Sequence, residues 1–183
     1  MTDDMAAEDW PGVGDLVLVP FGGPAGPSVR VAQALIAGDW SEFCHVEVVV
    51  SATQTVGAHS PVACYSDLAD VMKLRPLAVL PVPPEAEDRR DAIAQAAIDL
   101  VGVPYQLWAW VWIGLSKLHI RPRWMRRLLE SPRALICSAL ADHAWAVAGV
   151  HMFRGKLMGA VTPGEMHYVG TVRNVGTGPW VTT

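Results

Sequence analysis

HVEVVVSATQTVGAH, residues 45–59, decides the fold. Two β-branched, apolar runs flank the polar turn Ser51-Ala52-Thr53, which predicts an antiparallel hairpin with strands at 45–50 and 54–59. Side chains alternate along a strand, so His45 and Glu47 share a face. A carboxylate inside such a run needs a wet face or a partner, because an unpaired buried charge is costly. With a three-residue turn, Gly57 falls across from Glu47 and His59 across from His45. Glu47 then has room beside Gly57 to bend toward His45. A turn longer by one residue would put His59 on the opposite face, where it reads as a surface histidine.

Outward from the hairpin, residues 15–20 (DLVLVP) read as a short strand and residues 22–27 as a Gly/Pro turn cluster. Residues 28–37 have helical spacing behind Ser28 and stop at Gly38. Residues 74–82 form an apolar strand with Pro76 and Pro81, which predicts an edge position. Pro84 then opens a helix with Glu85, Glu87 and Asp88 early, a buried stripe at Ile93, Ala97, Leu100 and Val101, and Gly102 at its end. A second helix runs over about 135–148 with Gly149 as its stop, and residues 166–175 read as a last strand. Residues 1–13 are an acidic lead-in expected to be mobile. These elements predict one α+β domain over residues 1–183: a small antiparallel sheet packed against helices.

The 183 residues suit a single domain with a sizeable core. At 51% hydrophobic and 17% charged, the chain is not globally disordered. A formal charge of -4 argues against a nucleic-acid partner. The 3 Cys exclude a disulfide scaffold, and no CxxC offers a zinc ribbon. The N-terminus lacks the regions of a signal peptide. The longest apolar run, LWAWVWIGL at 107–115, falls short of the ~20 residues that span a bilayer. A cytoplasmic location is the default expectation.

Cys137 stands at the predicted start of the second helix, in ICSALADHAW, where unpaired N–H groups and the helix dipole stabilise a thiolate. A buried helical cysteine acting as a small apolar group is the plainer alternative. His45 is the matching candidate for general base. Zinc held by Cys44, His45, His59 and Cys64 is disfavoured, because adjacent residues on a strand point to opposite faces. No metal or cofactor is expected.

The order of these parts resembles the NlpC-type cysteine peptidase and amidase superfamily, in its circularly permuted papain-like branch. GDLVLV at 14–19, WSEFCHVEVVV at 40–50, GVPY at 102–105, ICSAL at 136–140 and VTPGEM at 161–166 carry the resemblance, which spans residues 14–166. It implies a permuted papain-like fold with Cys137 as nucleophile and His45 as base. Tyr105 and Ser138 would lie near the substrate and its oxyanion. The polar residue that orients the imidazole in this family falls at Gly57 here. Glu47 or His59 must take that role, with Glu47 preferred because its charge otherwise lacks an explanation, or the site is a dyad.

The chain also carries a Trp/Arg-rich insertion at 106–134, with Trp108, Trp110 and Trp112 followed by Arg123, Arg126 and Arg127. It reads as a packed cap helix or as an amphipathic lid touching an anionic membrane surface or an acyl chain. Three functions follow. The first is a thiol hydrolase of amide bonds in peptides, isopeptides or cell-wall peptides, acting through an acyl-enzyme. The second, similar to lecithin retinol acyltransferase, is a lipid acyl hydrolase or acyltransferase using the same Cys-His pair. The third is an inactive binding module.

Overall fold

The computed structural model describes residues 10–20, 34, 41–105, 136–150, 161–169 and 173–174. The helix expected at 28–37 lies outside the described residues apart from Ala34, as do the insertion at 106–134 and most of the lead-in.

The described chain is α+β. Six antiparallel strands form one sheet in the order β4-β3-β2-β1-β5-β6. The strands are β1 (Leu16–Val19), β2 (His45–Val49), β3 (Gln54–Ala58), β4 (Ala63–Asp67), β5 (Ala78–Leu80) and β6 (Arg173–Asn174). The helices are α1 (Leu68–Val71), α2 (Arg90–Ile98), α3 (Cys137–Val147) and α4 (Pro163–Val169), with a 3-10 turn at Pro84–Arg89 leading into α2.

The sheet's two faces bury different cores, as its alternating pattern requires. Leu16, Leu18, Val46, Val48, Val56 and Ala58 face a cluster that includes Ile93, Leu140, Ala144 and Trp145 of α2 and α3. Val17, Val19, Val49 and Val79 face a second, smaller cluster with Leu68, Val71 and Met72. His45 and Glu47 pair with Val19 and Val17 of β1, on this second face. Polar anchors join the layers. The buried Asp15 carboxylate accepts from the Val82 N–H at 2.9 Å and the Arg90 guanidinium at 2.6 Å. The Trp145 indole N–H donates to the Gly14 carbonyl at 2.9 Å.

Three expectations need correction. The strand at 74–82 contracts to β5 and lies between β1 and β6, not at an edge. Pro76 and Pro81 flank its three ladder residues, so neither removes a hydrogen bond from the ladder. The strand expected at 166–175 begins as helix α4, and only Arg173–Asn174 pairs with β5. A reciprocal capping box starts α4: the Glu165 N–H donates to Thr162 Oγ1, and the Thr162 N–H to Glu165 Oε2, each at 3.2 Å. The outer strand β4 was not expected at all. The GVPY turn docks on its start, through Gly102 N–H to Ala63 O at 2.8 Å and Ala63 N–H to Val103 O at 2.9 Å.

Candidate active site

The hairpin register is the one that gives Glu47 its partners. Glu47 pairs with Gly57, Val48 with Val56 and Val49 with Thr55. Continuing the same pairing brings His59 beside His45, and their ring centroids are 4.6 Å apart. Glu47 contacts both rings, with Oε1 at 3.3 Å from His45 Nε2 and 3.1 Å from His59 Nε2. The Thr55 hydroxyl donates to its other oxygen, Oε2. The Ser66 hydroxyl, from β4, lies 3.3 Å from Oε1. The carboxylate side chain is only 3% exposed, so these contacts stand in for water.

Gly57 creates the space. A Cβ there would lie 2.9 Å from Glu47 Cγ and 3.0 Å from His59 Nε2. Glu47 is held by two imidazoles and two hydroxyls and cannot swing aside cheaply. Gly57→Ala is therefore expected to destabilise the fold by about 1–3 kcal/mol, the usual cost of overpacking. It should also break the Glu47–His59 contact. A urea titration checks the first effect, and the His59 imidazole NMR signals check the second. An unchanged midpoint with unchanged signals would contradict this account.

Cys137 begins α3, whose first intrahelical bond runs from the Leu140 N–H to the Ile136 carbonyl at 3.0 Å. The N–H groups of Cys137, Ser138 and Ala139 lie ahead of that bond, at the positive end of an eleven-residue helix. The Cys137 sulfur is 3.9 Å from the Cys44 carbonyl, at the very start of β2. His45 follows Cys44, so its ring sits where the strand end meets the helix start, near enough to Cys137 for the two side chains to interact electrostatically.

The electrostatics favour an ion cluster. Burial alone would lower the His45 pKa, yet the Cys137 and Glu47 charges and hydrogen bonds push it up to about 10. Burial would likewise raise the Glu47 pKa. Hydrogen bonds from His45, His59 and Thr55, with the His45 charge, hold it far below the usual carboxylate range. Glu47 and His45 thus favour each other's charged form.

Cys137, His45, Glu47 and His59 thus come together. Ser138 does not act as expected: its buried hydroxyl donates to the Val161 carbonyl at 2.6 Å, tying α3 to the segment before α4. Only its backbone N–H, at the helix start, remains suited to an oxyanion. Tyr105 packs against the cluster that contains Cys137, and its N–H donates to the Pro61 carbonyl at 2.8 Å. Thr55 and Ser66 belong to the site and were missed. Thr55 was legible, because it lies on the Glu47 face of a strand already recognised. Ser66 was not, because β4 itself was not read.

A cavity of about 400 Å³ opens on the His45–Glu47–His59 side, walled by Val19, Pro20, Val71 and Leu74 and carrying Asp67 and Asp70. Its described lining includes no lysine or arginine. One donor atom from each of His45, Glu47 and His59 lies within 4.8 Å of the others, close enough for the three to ligate one metal ion. That set differs from the disfavoured Cys44/Cys64 arrangement, since all three side chains project from one face.

No protein-family model matches the sequence, and no curated protein matches it. Among solved structures, the chain is similar to the metalloprotein yiiX from Escherichia coli O157:H7, DUF1105. The likeness has a TM-score of 0.52 at 15% identity and covers 78% of this chain and 69% of that one. At that identity it concerns the fold alone. No helix among the described residues is long and apolar enough to cross a membrane.

Proposed function

We propose that the protein is a cysteine hydrolase of amide bonds, built on a circularly permuted papain-like scaffold. The contact chain Cys137–His45–Glu47 carries this reading: a helix-start thiol, an imidazole held protonated beside it, and a buried carboxylate behind the imidazole. In this mechanism the Cys137 thiolate attacks the amide carbonyl carbon. The developing oxyanion is held by N–H groups at the start of α3. The His45 imidazolium gives its proton to the leaving amine as the C–N bond breaks, which leaves a thioester on Cys137. Neutral His45 then takes a proton from water. The hydroxide attacks the thioester, and the thiolate departs with the acid product.

Glu47 holds the imidazole's orientation and balances its charge, and its Oε1 contact with His45 Nε2 at 3.3 Å supports it over His59 in that role. His59 reaches Glu47 from the far side and acts through it. Asp67 and Glu47 on the cavity beside His45, with Asp70 paired to Lys73 at its rim, favour an amine-bearing amide substrate, a peptide or isopeptide, over a lipid with an anionic head.

Selective alkylation tests the reading. Cys44 and Cys137 are both buried, at 3% and 1% exposure, so comparing them isolates the effect of His45 from that of access. Burial and the Glu47 charge push the Cys64 thiol up, which makes it a poor nucleophile despite its greater exposure. At about pH 6, iodoacetamide should modify Cys137 at least about tenfold faster than Cys44 or Cys64. Equal rates at Cys137 and Cys44 would mean that His45 does not activate the thiol.

A further inference from the structure

We propose that His45, Glu47 and His59 also form a zinc site whose occupancy shuts off the hydrolytic use of His45. Two imidazoles and one carboxylate are donors that zinc takes, and its bonds of about 2.0–2.1 Å put tetrahedral ligands about 3.3 Å apart. The Glu47 Oε1 atom already lies 3.3 Å from His45 Nε2 and 3.1 Å from His59 Nε2. Two edges of the coordination polyhedron are therefore in place. The third, between the two histidines, starts from donors no more than 4.8 Å apart.

The surroundings suit a metal for separate reasons. Thr55 donates to Glu47 Oε2 and fixes the carboxylate, as outer hydrogen bonds do in metal sites, while Oε1, which also takes a 3.3 Å bond from Ser66, faces both imidazoles. The His59 side chain is 34% exposed and borders the cavity, so an ion has an entry path and a fourth, open position for water. Asp67 on the same cavity adds negative charge toward a cation, while Asp70 is already paired with Lys73 at 2.7 Å. Calcium and magnesium prefer all-oxygen shells, so the donor set favours a nitrogen-binding divalent transition ion over them, and zinc is the redox-inert member of that group.

Zinc and catalysis exclude one another because of what the imidazole must do. The proposed hydrolysis cycles His45 between imidazolium and imidazole. An imidazole whose Nε2 holds zinc has only one proton left and cannot pick up a second. The inhibition thus rests on the hydrolase reading, whereas zinc binding itself does not.

Binding is measured on the folded full-length Cys137→Ser protein, which keeps all three donors and lacks the nucleophile. Equilibrium dialysis should show one Zn²⁺ per chain. Co²⁺ in its place should give the visible absorption of a tetrahedral nitrogen/oxygen site with no thiolate charge-transfer band. His59→Ala should weaken the zinc affinity at least about tenfold; His59→Gln replaces it if circular dichroism shows the alanine variant unfolded. In the unmutated protein, Zn²⁺ should stop amide turnover over the same concentration range in which it binds. Absence of a one-to-one site, binding indifferent to His59, or a thiolate band from Cys44 or Cys64 would each overturn the zinc site. Zinc binding as described in a protein that hydrolyses no amide would sink the hydrolase reading instead and leave the zinc site standing.

Discussion

Cys137→Ser is expected to lower turnover of an amide substrate by on the order of 10⁴-fold or more, while leaving the unfolding free energy within about 1 kcal/mol of the parent. The stability half of this result follows from size and surroundings. The serine side chain is slightly smaller than the thiol and fits the space the sulfur occupies beside the Cys44 carbonyl without displacing its neighbours. The activity half follows from chemistry, since a neutral hydroxyl is a far weaker nucleophile than a thiolate paired with an imidazolium. His45→Ala alone should cost nearly as much, and the double variant little more than either single one. Groups that act as one unit fail together, so their effects do not multiply. The measurement is kcat/KM on an amide substrate for the two single variants and the double variant. Multiplicative losses would show that Cys137 and His45 do not work on the same step.

The site was readable to the extent that it depends on strand periodicity and local spacing. A three-residue turn at 51–53 and the alternation of HVEVVV predicted the Glu47–Gly57 pairing that the sheet adopts. The charge at Glu47, unexplained within an apolar strand, pointed to partners that the structure supplies. Helix α3 was equally legible, since Cys137–Val147 lies within the expected 135–148 and Gly149 ends it with φ of +78°. What escaped was structure whose signal lies outside hydrophobic periodicity. Strand β4 (ACYSD) alternates between half-buried and exposed positions beyond Ala63, and nothing in its composition marks it. Helix α4 is announced by Thr162 and Glu165 as a capping box, a signal that the apolar run after it concealed. The interior position of β5 depends on a two-residue partner, β6, which the expected strand at 166–175 contained but whose pairing with β5 no pattern indicated. Consequently Ser66, which β4 delivers to Glu47, could not be assigned beforehand.

Glu47→Gln separates an electrostatic role for this carboxylate from a packing one, because only the former depends on pH. The amide preserves shape and some hydrogen bonds but leaves the His45 charge buried without a counter-ion. Breaking a buried ion pair in this way costs about 3 kcal/mol at neutral pH. The sign with pH follows from the direction of each shift. The Glu47 pKa is lower in the folded state than in the unfolded chain, so its contribution is present above the unfolded carboxyl value and is lost as pH falls below it. The His45 pKa is raised to about 10, so its contribution is complete below its unfolded value of 6.5 and disappears as pH rises through about 10. The stability gap between parent and variant should therefore be widest near neutrality and shrink toward both extremes. Urea unfolding across the pH range, with a chelator to exclude metal, measures it. Turnover adds a second readout. Without Glu47 the imidazolium loses its proton more easily, so the alkaline limb of kcat against pH should move toward neutrality. kcat itself should fall by on the order of 10³ or more, since the imidazole loses its orienting partner. A pH-independent stability gap with an unmoved alkaline limb would reduce Glu47 to a spacer beneath the two histidines.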